Sequence, residues 1–340
     1  MRRIISAIKS GFEDKVINIL PQVDGFITIR EANRIRSLSI DFNMPSVFVW
    51  LTTNSIHRWD FEKIDYDTKF IVACKSGHYE ILKMLIDMVC PSTLNRALKK
   101  SSKNGNSNIV KILLSDRRTN PSVQQNLPLR TACKKGRIEI VKLLLNDKRI
   151  QPSTSDYITD PLELAIMFNH PEIVKILLQN KKMSTAYWHD NLIVRACDIG
   201  LSEITKILLA DDRIDPTMMN NQPIRHACFL GRANIVRILL SDERIDPAAI
   251  KNFALLQAIS NNDIEITKIL LGDPRINPGD NDDTALIEAC SRGYFEIVRL
   301  LISDKRVNPF ARNNDAIKIA NMAANKEIKD LLENIGCKCY

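Results

Sequence analysis

The residues best suited to chemistry in this sequence are its eight cysteines. Thiols can form disulfides or bind zinc, and both arrangements need sulfur atoms close together. Five cysteines instead recur at one position of a repeated string, Ala-Cys-x-x-Gly: Cys74, Cys133, Cys197, Cys228 and Cys290. Neighbouring copies in a helical stack are separated by about 10 Å, beyond the Cα limit of about 7 Å for a disulfide. We therefore expect buried, reduced thiols, which indicate a reducing compartment.

Two further cysteines, Cys337 and Cys339, lie in the tail Cys-Lys-Cys-Tyr. We expect both side chains to be exposed. Because lysine and cysteine follow Cys337 where a prenylation motif has aliphatic residues, this tail does not match that motif. We interpret it as an inert tail, with reversible lipidation and weak metal binding as the alternatives.

Motifs for catalysis or metal binding are absent from the sequence. The five histidines show neither HxxxH nor HExxH spacing: His57, His78, His170, His189 and His226. The chain also has no CxxC pair, no GxGxxG after a strand, no phosphate-binding GxxxxGKS loop and no GxSxG elbow. We predict that the protein is not an enzyme and uses no metal and no cofactor.

Length and composition favour a soluble, all-α protein with more than one core. A chain of 340 residues exceeds the usual size of a single core, which indicates several domains or a repeat array. Only eleven residues are glycine, and apolar residues fall at helical spacing. No signal-peptide core and no run of about eighteen apolar residues occurs. We expect no membrane span and an intracellular, cytoplasmic location.

One segment recurs along nearly the whole chain. Glycine ends the Ala-Cys-x-x-Gly string in the best copies, and other small or polar residues stand at this point in the weaker copies. These anchor positions are Gly11, Asn43, Gly77, Gly105, Gly136, Asn169, Gly200, Gly231, Asn262, Gly293 and Ala324. Successive anchors lie 28 to 34 residues apart, and the last five intervals are each 31 residues. This regularity predicts about eleven similar units.

Each unit is predicted to contain two helices. Alanine stands four residues before the anchor in nine units, and Ser39 and Ser101 replace it in two, so the helices can approach closely there. The anchor ends the first helix with a positive φ. The second helix follows the pattern of residues 139–145, Glu-Ile-Val-Lys-Leu-Leu-Leu, with Ile140, Leu143 and Leu144 on one face.

An Asn or Asp residue stands ten residues before the anchor in eight units. A side-chain oxygen at the start of a helix can accept a hydrogen bond from a free backbone N–H of the first turn. We therefore predict that this residue is the N-cap of the first helix. The eight positions are Asp67, Asn95, Asn126, Asp190, Asn221, Asn252, Asp283 and Asn314.

A six-residue loop with arginine third and proline sixth joins many of the units: residues 116–121, 147–152, 211–216, 242–247, 273–278 and 304–309. Aspartate is always first, and both aspartate and proline favour turns. An arginine at one position of every loop indicates a structural role, bonding loop carbonyls or the nearby aspartate, rather than a ligand contact. These arginines are Arg118, Arg149, Arg213, Arg244, Arg275 and Arg306.

These units resemble ankyrin repeats. The strings at 127–130 (LPLR), 160–163 (DPLE), 222–225 (QPIR) and 284–287 (TALI) are similar to the Thr-Pro-Leu-His motif of that family. The resemblance implies an all-α ankyrin-repeat solenoid of about eleven helix-turn-helix units. We expect divergent N-terminal repeats and a connecting segment over 1–60, a regular array with a C-terminal capping repeat over 61–335, and a tail over 336–340.

The loops depart from the family pattern, because Asp-x-Arg replaces the usual glycine at the tip of the connecting finger. The Arg-Ile-Asp-Pro form with its 31-residue period is similar to arrays abundant in giant viruses of amoebae and in some protists. For a viral protein, the expected location is the cytoplasm of the host cell.

The resemblance also implies a function, a monomeric scaffold or adaptor that binds a partner protein on its concave face. We place the partner at about residues 95 to 230, on first helices and altered loops. Tyr187 and Trp188 lie in a loop that departs from the six-residue pattern. These aromatic side chains could equally well bind the partner or pack beneath the loop. The candidate partner-binding residues are Lys99, Lys103, Arg130, Lys134, Lys135, Arg195, Arg225, His226, Tyr187 and Trp188.

The net charge of +8 raises nucleic-acid binding as the alternative function. Six second helices carry a cation three residues after a glutamate, as in Glu139 and Lys142, and we expect these charges to cancel as ion pairs. The remaining excess is concentrated over residues 99–149, a basic stretch that suits an acidic protein surface. The same stretch suits nucleic acid or another anionic surface, although it lacks interleaved aromatic residues.

Overall fold

A computed structural model describes residues 1–23, 27–53, 64–153, 160–183 and 192–338. The chain forms two compact units, one of Met1–Phe168 with Gln179–Met183 and one of Asn169–Leu178 with Ser184–Tyr340. The described residues hold twenty-two α-helices and no β-strand, so the prediction of an all-α chain is confirmed. None of these helices is both long enough and apolar enough to cross a membrane.

The described part of the first unit contains eleven α-helices and one short 3-10 helix, Ile86–Met88. The α-helices are α1 (Arg2–Lys9), α2 (Glu13–Val23), α3 (Ile29–Asp41), α4 (Pro45–Thr53), α5 (Tyr66–Ser76), α6 (Tyr79–Leu85), α7 (Pro91–Asn104), α8 (Ser107–Ser115), α9 (Val123–Lys134), α10 (Ile138–Asn146) and α11 (Pro161–Met167). Odd-numbered helices are the first helices of the repeats, and even-numbered helices are the second.

The second unit continues this alternation. Its helices are α12 (Pro171–Gln179), α13 (Leu192–Ile199), α14 (Ser202–Leu209), α15 (Met218–Phe229), α16 (Ala233–Leu240), α17 (Ala249–Ser260), α18 (Ile264–Leu271), α19 (Asp280–Arg292), α20 (Phe295–Ile302), α21 (Ala311–Met322) and α22 (Lys326–Asn334). Within each unit, a first helix packs against the first helix of the next repeat, as α7 packs against α9 and α15 against α17.

The repeat anchors end the first helices as predicted. All eleven anchor residues adopt a positive φ, from 54° at Asn43 to 92° at Gly105. Glycine enters this left-handed region without steric cost, and asparagine enters it more readily than most other residues. Ala324 is the one anchor that is neither glycine nor asparagine, and its φ is 55°. The anchors therefore set the sharp turn between the two helices of every repeat.

Small and apolar side chains form the core of each stack. The alanine of the repeat is fully buried from Ala73 onwards, and Ser39 and Ser101 are buried in its place. On α10, Ile140, Val141 and Leu144 are buried, whereas the predicted core residue Leu143 is only partly so. Burying each such side chain contributes about 1.5–3 kcal/mol to stability, and every repeat presents several of them to its neighbours.

The predicted N-cap role of the repeated Asn or Asp is wrong for five described positions. Asn126, Asn221, Asn252, Asp283 and Asn314 themselves have positive φ, at the end of three consecutive left-handed residues. Such a backbone differs from the extended conformation of an N-cap. At Asp67 the prediction also fails, because Asp65 is the residue that caps α5, accepting a hydrogen bond from the Thr68 N–H.

Four of these five side chains instead bond the loop of the following repeat: Asn126, Asn221, Asn252 and Asp283. Asn252 Nδ2 donates to the Asn277 carbonyl at 2.7 Å, and Asp283 Oδ1 accepts from the Asn308 N–H at 2.9 Å. Asn95 acts in the same way, accepting from the Asn120 N–H at 2.7 Å. Each of these three hydrogen bonds joins residues that are 25 positions apart in the sequence. The bonds therefore link two repeats and do not cap a helix.

Candidate partner-binding surface

Four predicted binding lysines lie on or directly after two neighbouring helices of the first unit. Lys99 and Lys103 are exposed on α7, Lys134 is exposed at the end of α9, and Lys135 follows it. Lys103 and Lys134 each precede their anchor by two residues, so they occupy equivalent positions on packed helices. The ammonium of Lys134 lies 4.8 Å from the ring centroid of Phe168, a cation–π contact. The structure thus brings these four cations onto one stretch of first helices.

Further cations, which the predicted site left out, adjoin this group. Partial burial lowers the pKa of the Lys100 ammonium, and the nearby charges of Lys75 and Arg96 lower it further. Neighbouring like charges destabilise the protonated form of a lysine, so the contribution of Lys75 and Arg96 to this pKa shift reflects the closeness of the three cations. We call Lys75, Arg96, Lys99, Lys100 and Lys103 the basic group. The predicted basic stretch, residues 99–149, does not include Lys75 and Arg96.

Arg130 and Arg225 form hydrogen bonds to backbone carbonyls of their own repeats. The Arg130 guanidinium donates to the Gln124 carbonyl at 3.2 Å, and Arg225 donates to the Met219 and Asn220 carbonyls at 2.9 and 3.0 Å. These carbonyls belong to the left-handed triplets, whose strained backbone gains partners in this way. Arg225 also stacks on Phe253, with its guanidinium 5.4 Å from the ring centroid.

Arg195 and His226 occupy equivalent positions on first helices of the second unit. Arg195 is exposed on α13. His226 is half-buried on α15, with Nδ1 3.0 Å from Asp198 Oδ1 and Nε2 3.1 Å from the Gln222 amide nitrogen. The His226 ring is therefore held between two polar side chains. The predicted anchors Tyr187 and Trp188 lie outside the described residues.

The loop arginines are held by the protein itself, in line with the structural role predicted for them. Arg275 donates to both carboxylate oxygens of Asp273 and reaches back to the Leu240 carbonyl at 2.7 Å and the Ile245 carbonyl at 2.9 Å. Equivalent bonds to the preceding repeat are made by Arg118, Arg149, Arg213, Arg244 and Arg306.

The predicted pairing of second-helix charges is mostly wrong within the described residues. Lys142 lies 3.5 Å from Glu139, and Arg299 lies 2.6 Å from Glu296, but the other four pairs do not form. Arg237 instead reaches Glu265 of the next repeat at 2.9 Å, and Lys83 stacks on the Tyr79 ring. Exposed pairs of this kind contribute less than about 1 kcal/mol, so their absence costs little stability.

A family model for ankyrin repeats, in three copies, matches residues 98–186, 162–251 and 255–339. These matches cover well over half of the 340 residues. The chain belongs to the ankyrin repeat family. Ankyrin repeats are generally modules for protein–protein interaction and are generally non-catalytic. No curated protein matches the sequence.

The cysteines of this ankyrin array are held as core thiols. Cys74, Cys133, Cys197, Cys228 and Cys290 are buried and free, as predicted. Burial raises the pKa of Cys74 and Cys228 to about 12, because the apolar surroundings disfavour a thiolate. The described residues contain no group of three or more His, Cys, Asp or Glu side chains placed to hold a metal ion.

The expected exposure of Cys337 is wrong. Its side chain is buried, and Sγ lies 3.5 Å from the Pro309 carbonyl, because the chain after α22 folds back onto the last loop. Cys339 lies outside the described residues. An eighth thiol, Cys90, is exposed at the start of α7, where hydrogen bonds from Ser92 and Thr93 lower its pKa.

One buried charge of the first ankyrin repeats gave no signal in the sequence. Arg36 on α3 is fully buried and donates to Asn33 Oδ1 at 2.9 Å and to the Leu51 carbonyl at 3.1 Å. An arginine among apolar residues looks like any surface arginine until the helix face is known. Its guanidinium joins α3 to α4 inside the N-terminal repeats.

Proposed function

We propose that this ankyrin array is a non-catalytic scaffold or adaptor that binds an acidic segment of a partner protein on its first helices. The observation that carries the proposal is the basic group on α5 and α7, continued by Lys134 and Lys135 beside α9. Positive potential of this kind raises the encounter rate with an acidic surface and fixes its orientation. Arg195 is proposed as a separate contact on the second unit.

The state of each cation supports this choice of residues. The ammonium groups of Lys99, Lys103 and Lys135 form no ion pair with a carboxylate in the described ranges, so a partner can neutralise them without breaking an existing contact. Arg130 and Arg225 are bonded to backbone carbonyls, and we assign them to the support of the surface. The five buried thiols are in keeping with a reducing, intracellular location.

A nucleic acid or another anionic surface is the second candidate, because the same basic group would attract phosphates. Sequence-tolerant binding of single strands also uses aromatic side chains on which bases stack. Helix α7, Pro91–Asn104, contains no aromatic residue. This composition favours a protein partner.

The test compares two charge reversals of equal size in the full-length chain. One variant carries Lys99→Glu, Lys100→Glu and Lys103→Glu on α7. The control carries Lys142→Glu, Lys206→Glu and Lys268→Glu, which are exposed on second helices. Each variant and the wild type serve as bait, with and without nuclease treatment, and bound proteins are quantified by mass spectrometry.

The proposal predicts specific partners that the α7 variant loses and the control retains. Circular dichroism of both variants checks that the helices persist. If both variants keep the same partners, the surface is misplaced. If retention of the α7-dependent partners requires intact nucleic acid, the second candidate is correct.

A further inference from the structure

A cavity of 690 Å³ lies between α3 and α5 in the first unit. This volume is within the range of about 300–1,000 Å³ that is usual for small-molecule sites. Most of its lining is polar or charged. The described residues of this lining are Arg30, Asn33, Arg34, Ser37, Ile64, Asp65 and Lys69.

Helix α3 supplies a stripe of donors to this cavity. Arg30, Asn33, Arg34 and Ser37 are spaced at three- and four-residue intervals, so they share one face of the helix. Arg30 and Arg34 are exposed, and neither forms an ion pair with any residue that the structure describes. Two guanidinium groups one helical turn apart thus face the same cavity, and no described carboxylate pairs with either of them.

Asn33 adds a donor that the protein leaves unused. Its side chain is 8% exposed, and its Oδ1 accepts from Arg36 at 2.9 Å, which fixes the orientation of the amide. Its Nδ2 has no hydrogen-bond acceptor among the residues that the structure describes. Buried polar groups are nearly always satisfied, so an orphaned amide in the wall of a cationic cavity indicates a missing acceptor.

Two carboxylates at or beside the cavity, within the part of the chain that the structure describes, already have partners. The Lys69 ammonium pairs with Asp41, which lies outside the lining. Among the described lining residues Asp65 is the one carboxylate, and hydrogen bonds from the Thr68 hydroxyl and N–H lower its pKa. These bonds hold the Asp65 carboxylate at the start of α5. Asp65 therefore forms no ion pair with Arg30 or Arg34.

We propose that this cavity binds a small molecule carrying a phosphate group. Guanidinium groups bind phosphate through paired, charge-assisted hydrogen bonds, and phosphate oxygens would also accept from Asn33 Nδ2 and the Ser37 hydroxyl. Asp65 can accept from a hydroxyl or amino group elsewhere on the ligand. The site does not depend on the proposed partner surface, since none of its residues belongs to the basic group.

The test is isothermal titration of pyrophosphate into the full-length protein at constant ionic strength. Saturable binding at one site per chain is expected. The double variant Arg30→Gln, Arg34→Gln should weaken it by about tenfold or more, because it removes two charge-assisted donors. The matched control Arg2→Gln, Arg3→Gln removes the same charge from exposed positions on α1 and should bind like the wild type.

A second variant, Asn33→Asp, tests the orphaned amide. One carboxylate oxygen keeps the bond to Arg36, and the other faces the anion in place of Nδ2, so pyrophosphate binding should be lost while the thermal midpoint is retained. Absence of saturable binding, or equal losses in the Arg30/Arg34 and Arg2/Arg3 variants, would overturn the proposal. Binding of a phosphoserine peptide but not of pyrophosphate would contradict a small-molecule ligand.

Discussion

The guanidinium of Arg275 donates a hydrogen bond of 2.7 Å to the carbonyl oxygen of Leu240, 35 residues earlier in the chain. Leu240 ends helix α16, whose last carbonyls have no partner within the helix. Arg275 therefore caps the second helix of one repeat from the loop of the next. The carboxylate of Asp273 orients the guanidinium through two bonds.

Arg275→Lys should lower the free energy of unfolding by about 1–2 kcal/mol. Lysine keeps the charge but cannot bond Asp273 and two carbonyls at once. Urea unfolding monitored by circular dichroism measures the change. Arg299→Lys on the exposed face of α20 is the matched control and should shift stability by less than about 0.5 kcal/mol. Equal effects of the two substitutions would refute the capping role.

Asn252→Ala should also destabilise the array, by about 1–2 kcal/mol. The substitution removes the bond to the Asn277 carbonyl and places alanine at a φ of 61°, where it is strained. Asn234→Ala, on the exposed side of α16, should be neutral or slightly stabilising because alanine favours a helix. The measurement is again urea unfolding. A neutral Asn252→Ala would show that the link between repeats contributes nothing.

Ala324→Gly should stabilise the last repeat. Ala324 has a φ of 55°, and relief of left-handed strain of about 1–2 kcal/mol exceeds the entropy cost of glycine, about 0.5–1 kcal/mol. The neighbouring Ala323→Gly, at a φ of −78°, incurs the entropy cost alone and should destabilise. Hydrogen exchange of amides in α22 reports the local effect. Opposite signs for the two substitutions are the expected result, and a shared sign contradicts the strain argument.

Stability should fall as the pH drops below about 4. Hydrogen bonds from the loop arginines lower the pKa of Asp116, Asp147, Asp242, Asp273 and Asp304. A lowered pKa in the folded state gives stability that is present above the unfolded value of about 3.9 and is lost as the pH falls through the folded value. Burial raises the pKa of Asp283, which acts in the opposite direction at a single site.

The check is the urea midpoint between pH 6 and pH 2.5 for the wild type and for a variant with Asp242→Asn, Asp273→Asn and Asp304→Asn. The variant should be less stable at pH 6 and should lose less stability on acidification. Identical pH dependence of the two proteins would disconnect the loop carboxylates from stability.

The repeat pattern predicted most of this fold because it combines helix periodicity with a backbone requirement. Gly, Asn and Ala at one point of each unit marked a positive φ, and all eleven anchors have it. The burial of the five repeat cysteines could be predicted in the same way, because each of them directly follows the core alanine. The constant position of arginine in the six loops predicts a structural role, and the bonds of these arginines to carbonyls of the preceding repeat agree with it.

The predictions that are wrong concern side chains that could form either of two hydrogen bonds. Asn252 can cap a helix or bond a neighbouring loop, and only the three-dimensional stack places the Asn277 carbonyl beside it. Arg130 looked like a surface cation because nothing in the sequence reveals the left-handed triplet whose carbonyls it bonds. Arg36 and the cavity on α3 could not be foreseen, since both depend on which helix face the next repeat covers.

Lysine footprinting of the captured complex tests the central claim most directly. Acetylation rates are measured by mass spectrometry for the protein alone and with its α7-dependent partner bound. If the partner binds the first helices, Lys99, Lys103 and Lys135 become protected, while Lys142, Lys206 and Lys268 on second helices keep their rates. Protection of the second-helix lysines with unchanged reactivity of Lys99 and Lys103 would contradict this claim.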